Sequence, residues 1–245
     1  MISTVALPTN GRDDIVERWP VLKKKYEKYR VFAHAGMDSI LPKEKKHGYI
    51  RLKANMQQSC YLRNEGGGKF TMIPLPLEAQ VSMINGMVAD DFDGDGNVDV
   101  LINGNDFGTD ISIGRYDGMN GLLLKGDGAG GFSPLTIQQS GIYIPGNGKA
   151  LIKLAGSNNN YLIAASQNRD NVKVFGLRKN VQIVRINPDD KSSIIHLKNG
   201  KHRKEEFYFG TSFLSQSSRF IPVTPQISSI EITNNKGEVR KSGFE

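Results

Sequence analysis

Residues 87–104 decide the fold expected for this chain, and they read Met-Val-Ala-Asp-Asp-Phe-Asp-Gly-Asp-Gly-Asn-Val-Asp-Val-Leu-Ile-Asn-Gly. Between Asp91 and Asp99, carboxylates stand at loop positions 1, 3, 5 and 9, and a glycine stands at position 6. A calcium ion takes about six to eight oxygen ligands, and alternating carboxylates on a curled chain can share one ion. The spacing therefore predicts a Ca²⁺ site.

The predicted ligand set consists of four side chains and one backbone carbonyl: Asp91, Asp93, Asp95, Asp99 and, through its carbonyl, Asn97. Gly96 is expected to form the sharp turn through a positive φ angle. Position 12 is Ile102, where an EF-hand has a bidentate glutamate. The flanking residues are apolar and partly β-branched, which predicts strands: Met87–Ala89 before the loop, and Val98, Val100, Leu101 and Ile102 after it. A loop between strands has no helix pair to open, so the pattern favours a structural clip over a switch.

A glycine-rich segment occurs twice, as Asn64–Phe70 and as Gly126–Phe132, with the two phenylalanines 62 positions apart. Repetition at this scale is typical of stacked modules. Short apolar segments before and after each copy predict two β-hairpins: Cys60–Leu62 with Thr71–Ile73, and Leu122–Leu124 with Leu135–Ile137. The calcium loop lies between the hairpins, so the unit has about four strands, the size of a propeller blade.

The hairpin YLRNEGGGKF (61–70) and the loop VADDFDGDGNVDVLINGND (88–106) resemble the VCBS or FG-GAP repeat of integrin-like β-propellers. A third copy without the acids, and therefore without an expected calcium ion, follows at 149–175. FYFGTSFLSQSSRF (207–220) and ISSIEITNNKGEVR (227–240) resemble the ASPIC/UnbV module, although its usual Trp-Pro-Asp-Gly turn is Asn-Asn-Lys-Gly here. The chain is similar to the C-terminal end of long surface proteins of Bacteroidetes-type bacteria.

The expected fold is mainly β, with partial β-propeller-like blades, a short N-terminal helical segment and a C-terminal antiparallel β module. The expected domains are 1–54 (tail and helical segment), 55–176 (repeat region with the calcium loop) and 177–245 (ASPIC/UnbV-like module). Helical spacing from Asp13 to Arg30 is interrupted by Pro20, which predicts two short helices or one kinked helix. A second helix is expected at 31–41. Strands are expected in the last third at 172–175, 181–186, 193–197, 207–209 and 227–232.

Charge is distributed unevenly along the chain, whose formal net charge is +7. Residues 61–130, which contain the calcium loop, carry four Lys/Arg against eleven Asp/Glu. The basic remainder is dispersed and does not form the dense stripe with interleaved aromatics that nucleic-acid binding needs. No stretch approaches about 18 apolar residues, so no membrane-spanning segment is expected. The N-terminus has no apolar signal core, and we expect a C-terminal fragment of a longer exported protein that is extracellular, on the cell surface or periplasmic.

No catalytic motif is present, so an enzyme is not expected. The four histidines lack the His-Glu-x-x-His spacing of a zinc hydrolase, and there is no Gly-x-Ser-x-Gly elbow. Asp106, Asp110 and Asp117 lie in the long loop after the calcium site. They leave open an acid pair for glycoside chemistry or a second cation site.

The leading hypothesis is a non-enzymatic, calcium-binding β-repeat segment that serves as a binding or scaffolding module. One alternative is a glycan-binding or glycan-processing accessory domain, in which the Asn103–Asn120 loop and Tyr116 form the sugar surface. A second is a protein-protein adhesion module, which predicts a flat, exposed apolar patch. The partner, whether protein or glycan, is not specified by the sequence.

Overall fold

A computed structural model describes residues 6–41, 48, 50, 52–111, 113–157, 160–177 and 181–244. The described part of the chain is mainly β, with several antiparallel sheets and few, short helices. It divides into two compact units, Met1–Met56 and Gln57–Glu245. The predicted boundary at residue 177 lies inside the second unit and stays a prediction.

The first unit contains four short helices: α1 (Arg12–Arg18), α2 (Leu22–Lys25), α3 (Tyr29–Ala33) and α4 (Met37–Ile40). The break after α1 contains Pro20, as the sequence predicted. The predicted helix at 31–41 is wrong, because the chain is extended at Gly36 and splits this segment into α3 and α4. The helices bury Leu22, Tyr26, Phe32, Ala35 and Ile40 in a small core of their own.

The second unit begins with one two-stranded, one four-stranded and one three-stranded antiparallel sheet. Their strands are, in chain order, β1 (Cys60–Gly66), β2 (Lys69–Pro74), β3 (Ile84–Asp90), β4 (Asp99–Gly104), β5 (Leu122–Gly126), β6 (Phe132–Leu135), β7 (Gly148–Ala155), β8 (Tyr161–Gln167) and β9 (Asp170–Gly176). Each sheet is a simple meander, paired as β1-β2, β3-β4-β5-β6 and β7-β8-β9. The four-stranded sheet has the size of one blade, and the described residues do not close a ring of blades.

The two glycine-rich hairpins pair in the same register. Leu62 lies opposite Met72 in the first hairpin, and Leu124 lies opposite Pro134 in the second, each residue shifted by 62 positions. The environments of the two hairpins differ, because the face of the second that carries Leu124 is buried against Ala79, Ile102 and Met119. The corresponding face of the first hairpin is exposed.

The predicted strand at 135–137 is only partly correct. The strand ends at Leu135, and Ile137–Ser140 forms the short helix α5. Thr136 caps this helix, since its side chain accepts from the backbone N–H of Gln139 while the Gln139 side chain accepts from the backbone N–H of Thr136. This capping box, Thr-x-x-Gln, outweighs the β-propensity of the short apolar segment.

The C-terminal part is a small β-sandwich. Its strands are β10 (Gln182–Arg185), β11 (Asp190–Leu197), β12 (His202–Glu206), β13 (Phe220–Val223), β14 (Ile227–Asn234) and β15 (Val239–Gly243). The pair β10-β13 and the sheet β12-β11-β14-β15 bury a shared apolar core: Ile186, Ile195, Leu197, Ile221, Ile227, Ile230 and Ile232. Asn199-Gly200, a dipeptide typical of hairpin turns, lies in the turn between β11 and β12. The predicted strand at 207–209 is wrong because β12 ends at Glu206.

A second apolar core joins the repeat sheets to the sandwich. Val88 of β3, Leu101 of β4, Leu151 of β7 and Tyr161 of β8 pack with Phe220 of β13. The loop between β3 and β4 therefore lies where the four-stranded sheet, the three-stranded sheet and the sandwich meet. No helix in the described part of the chain has the length and apolar character needed to span a bilayer.

Candidate metal centre

The predicted calcium loop connects β3, which ends at Asp90, to β4, which begins at Asp99. Asp90 and Asp99 lie opposite each other in the ladder, so the two strands hold both ends of the loop. Inside the loop, Gly94 and Gly96 have φ angles of 83° and 92°. These left-handed conformations favour glycine, and the expectation of a positive φ at Gly96 is confirmed.

Three of the four predicted carboxylates converge. One oxygen each from Asp91, Asp93 and Asp99 lies within 4.8 Å of the others, and no other group of three or more such side chains in the described ranges does the same. Asp91 and Asp99 are buried, whereas Asp93 is exposed. The loop therefore presents two desolvated carboxylates and one that faces solvent.

The buried carboxylates are held by hydrogen bonds that leave lone pairs free. The backbone N–H groups of Phe92 and Gly126 donate to the two oxygens of Asp99 at 3.0 and 2.9 Å. Asp91 accepts from the backbone N–H of Gly94 on Oδ1 (2.8 Å) and from that of Gly96 on Oδ2 (3.0 Å). Each carboxylate oxygen has two lone pairs, so both oxygens of Asp99 and Oδ1 of Asp91 keep acceptor capacity for a cation.

Asp95 and Asn97 are arranged differently from the sequence expectation. Asp95 is not part of the converging group: it accepts from the backbone N–H of Asn97 at 2.8 Å and pairs with the ammonium of Lys125 at 3.0 Å. Lys125 also donates to Asp93. A lysine side chain from β5 thus lies against two of the predicted calcium ligands, and its pKa is raised mainly by the hydrogen bonds to Asp93 and Asp95.

The pKa values separate the loop acids into two kinds. Burial raises the pKa of Asp91 and outweighs the hydrogen bonds from Thr224, Gly96 and Gly94, which lower it. Burial also raises the pKa of Asp99, and the charges of the neighbouring aspartates add to that effect. For Asp95 burial acts in the same direction, but the hydrogen bonds from Asn97 and Lys125 prevail and lower the pKa. For the two buried carboxylates, burial therefore outweighs the hydrogen bonds and, for Asp91, the nearby charge of Arg203.

The geometry fits a hard divalent cation. Calcium–oxygen distances are about 2.3 to 2.6 Å, so two oxygens on opposite sides of one ion are about 5 Å apart. The three oxygens lie within 4.8 Å of one another, so one ion could contact all of them. Carboxylate oxygens are also the ligand type that calcium prefers. Asp91, Asp93 and Asp99 could hold such an ion, with Asp95 and the carbonyl of Asn97 as further candidates.

Two residues far along the chain contact the loop, and sequence reasoning missed both. The hydroxyl of Thr224 donates to Asp91 Oδ2 at 2.8 Å, and the guanidinium of Arg203 donates to the carbonyl of Gly96 at 2.9 Å. Thr224 is 133 positions from Asp91, and neither residue belongs to a motif that would assign it to a calcium site. Only the packing of the sandwich against the loop brings them together.

Asp90, next to the loop, anchors it to the neighbouring sheet through a buried network. Its Oδ2 accepts from the Lys153 ammonium at 2.8 Å and from the Tyr161 hydroxyl at 3.0 Å, while Oδ1 accepts from the backbone N–H of Asp91. Burial and the Asp90 charge together raise the pKa of Tyr161 well above its usual range. This network fixes the first residue of the loop to β7 and β8.

The acids of the long loop after β4 serve structural contacts. Asp106 lies in an isolated bridge with Tyr116, and its Oδ1 accepts from the backbone N–H of Gly108 at 3.0 Å. Asp117 accepts from the side chain of Asn105 at 3.2 Å, and the carbonyl of Asp110 accepts from Gly114. In the described part of the chain they are not members of a converging group, and the sugar surface expected around Tyr116 stays a prediction.

The converging acids line one end of a cleft of about 810 Å³. Its walls are mostly apolar and come from the second hairpin, from β8 and β9, and from β13 and the segment after it. Leu123, Leu135, Ile163, Val174 and Pro222 are among them. The converging acids are therefore accessible from this cleft.

No protein-family model and no curated protein matches the chain.

Proposed function

We propose that this chain is a non-enzymatic, calcium-binding β-repeat module of the VCBS/FG-GAP kind, with an ASPIC/UnbV-like sandwich, that works as a scaffold in an exported or cell-surface protein. The convergence of Asp91, Asp93 and Asp99 at the junction of three sheets carries the proposal. The repeated hairpins and the resemblance in residues 61–70 and 88–106 support the assignment to this repeat type.

The role of the ion in this proposal is to stabilise the fold. The two buried carboxylates present oxygens no more than 4.8 Å apart, so they repel each other by at least about 3 kcal/mol at an effective dielectric constant of 20. A cation bound between the carboxylates attracts both of them, so repulsion at the site is replaced by attraction. The bound ion then holds β3, β4 and the loop together. Because the ligands come together only in the folded chain, the free energy of calcium binding adds to the free energy of folding.

Isothermal titration calorimetry of calcium into chelator-treated protein tests the proposal. We expect one ion per chain in the wild type and a loss of affinity of about 100-fold or more in Asp93→Asn, because a charged ligand becomes neutral. Asp117→Asn is the matched control, since it removes a carboxylate from the neighbouring loop and should bind calcium like the wild type. Absence of heat and of saturable binding in the wild type would exclude a calcium module.

A second candidate function, protein-protein adhesion, is favoured by the exposed face of the first hairpin. Leu62 and Phe70 are 62% and 59% exposed, although their counterparts Leu124 and Phe132 are buried and half-buried. In the described part of the chain β1 pairs only with β2, whereas its counterpart β5 also pairs with β4. Pairing of the β1 edges of two copies would form a four-stranded sheet of the size of β3–β6 and bring both apolar faces together.

Sedimentation velocity tests this candidate over about 1 to 100 µM, the range of weak dimers. The wild type should self-associate with rising concentration, and Leu62→Lys should remain monomeric. Val239→Lys, at an equally exposed position on the edge strand β15, should behave like the wild type. A wild type that is monomeric throughout refutes self-adhesion through this face and leaves the calcium proposal untouched.

A further inference from the structure

The calcium loop is packed on two sides by different parts of the chain. On the repeat side, Gly126 of β5 donates its backbone N–H to Asp99. On the sandwich side, a Cβ placed on Gly96 would lie 3.2 Å from Gln226 Cβ and 3.5 Å from Leu197. The approach to Gln226 is tighter than an ordinary Cβ contact, and the positive φ of Gly96 disfavours a side chain as well.

Thr224 provides the most specific contact across this junction. Its hydroxyl and the Asp91 carboxylate are both buried, and their hydrogen bond of 2.8 Å joins the end of β13 to position 1 of the loop. The bond uses one lone pair of Oδ2, and the N–H of Gly96 uses the other, so Oδ1 is the Asp91 oxygen left for a cation. Hydrogen bonds of this kind, made to a metal ligand from outside the ligand set, fix its orientation and commonly change metal affinity about 10- to 100-fold.

We propose that Thr224 is a positioning residue of the calcium centre, and that calcium binding and docking of the C-terminal sandwich on the repeat sheets stabilise each other. This inference rests on the proposed calcium function of the same loop. The hydroxyl orients Asp91 only when the sandwich is docked, so a docked sandwich presents the better calcium site. Thermodynamic linkage requires the reciprocal effect, by which bound calcium favours the docked sandwich.

Arg203 adds a second connection from the sandwich. Its guanidinium donates to the carbonyl of Gly96 at 2.9 Å and lies 3.2 Å from Glu205 on the same strand. The carbonyl accepts this bond next to the N–H groups of Gly96 and Asn97, which point at Asp91 and Asp95. The sandwich therefore constrains both the backbone of the turn and the carboxylate that begins the loop.

The first test compares three threonine variants by calcium calorimetry on the full chain. Thr224→Val keeps the shape but removes the donor, and its calcium affinity should fall about 10-fold or more. Thr224→Ser keeps the donor and should remain within about threefold of the wild type. Thr233→Val is the matched control: it lies on β14 six residues beyond Ile227, about 20 Å along an extended strand, and should change nothing.

The second test begins with the wild type alone. Amide hydrogen exchange of the wild type is measured with calcium and with chelator, and the linkage predicts slower exchange with calcium in β13 and β14 as well as in the loop. The amide of Ile227, which donates to the Thr224 carbonyl, and that of Lys198, which donates to the Gln226 carbonyl, report on this junction directly. In Thr224→Val the calcium-dependent slowing should be confined to the loop.

The outcomes separate this inference from the proposed function. If the wild type does not bind calcium, both fail. If the wild type binds calcium and Thr224→Val binds it equally well, the positioning role is overturned while the calcium module stands. If Thr224→Val does not fold, hydrogen exchange of the wild type decides. Calcium-dependent protection that is limited to the loop overturns the coupling. Calcium-dependent protection that extends into β13 and β14 supports it.

Discussion

Asp93→Asn tests the proposal that bound calcium stabilises the fold, separately from the contacts that Asp93 makes within the loop. At a calcium concentration of ~2 mM and a dissociation constant of ~10 µM, mass action stabilises the folded wild type by about 3 kcal/mol. A variant with 100-fold weaker binding keeps about 0.6 kcal/mol of this effect. The difference, about 2.5 kcal/mol, corresponds to a fall in the unfolding midpoint of about 5 to 10 °C for a domain of this size.

In chelator the same substitution should have little effect. The Asp93 side chain is 41% exposed and its partner Lys125 is 43% exposed, so the ion pair between them contributes less than about 1 kcal/mol. The Asp93 charge repels the Asp99 carboxylate and helps to raise its pKa, so removing that charge also relieves this repulsion. These two effects oppose each other, and we expect a shift of less than about 2 °C.

The assay is thermal unfolding followed by circular dichroism, with wild type and variant measured side by side in calcium and in chelator. Magnesium at the same ionic strength is the control for screening by divalent salt. An equal loss of stability in both conditions would mean that Asp93 acts only within the loop. An identical midpoint of the wild type in both conditions would mean that the converging acids are a turn and bind no ion.

Three further predictions concern single side chains. Lys125→Met removes an ammonium that competes with a cation for the loop acids. Calorimetry should therefore show calcium binding that is about two- to fivefold tighter than in the wild type. Weaker binding would contradict the competing role of Lys125. Arg240→Met leaves the buried Asp190 carboxylate without its bidentate partner at 2.5 and 2.6 Å and should cost about 3 kcal/mol in denaturant unfolding near neutral pH. Burial raises the pKa of Asp190, but the bonds from Arg240 prevail and lower it. The stability that this pair contributes is therefore present above the ordinary pKa of 3.8, and the difference in unfolding free energy between wild type and variant should shrink as pH falls below that value. A difference that does not depend on pH would contradict the pairing. Leu124→Ala should lower the free energy of unfolding by about 3 kcal/mol in the same assay, because Leu124 is buried. Its counterpart Leu62→Ala should lower it by less than about 0.5 kcal/mol, because Leu62 is exposed. Equal losses would mean that the first hairpin is covered.

The loop and its strands were predictable because their signals are local. Aspartates at alternating positions, with a glycine between them, predict both the turn and the convergence of carboxylates, and the apolar flanks predict the strands that hold them. The same holds for the hairpin at Asn199-Gly200, where two residues determine the turn. In each case the residues that make the contact are near each other in the sequence.

Other elements depended on information that a local pattern does not contain. Phe207–Phe209 has the composition of a strand, but β12 ends at Glu206. Phe209 instead stacks on the guanidinium of Arg219 at 4.5 Å. Lys125 and Thr224 contact Asp93 and Asp91 through the folded sheets, from positions with no distinguishing neighbours. Contacts of such long sequence separation follow from tertiary packing.

The most direct test of the calcium centre is a crystal structure of the protein grown with saturating calcium. The account predicts one ion with oxygens of Asp91, Asp93 and Asp99 at about 2.3 to 2.6 Å, and the Lys125 ammonium withdrawn from Asp93. It also predicts that the Thr224 hydroxyl still donates to Asp91. A calcium-saturated structure with no ion in the loop and with Lys125 still bound to Asp93 would contradict the account.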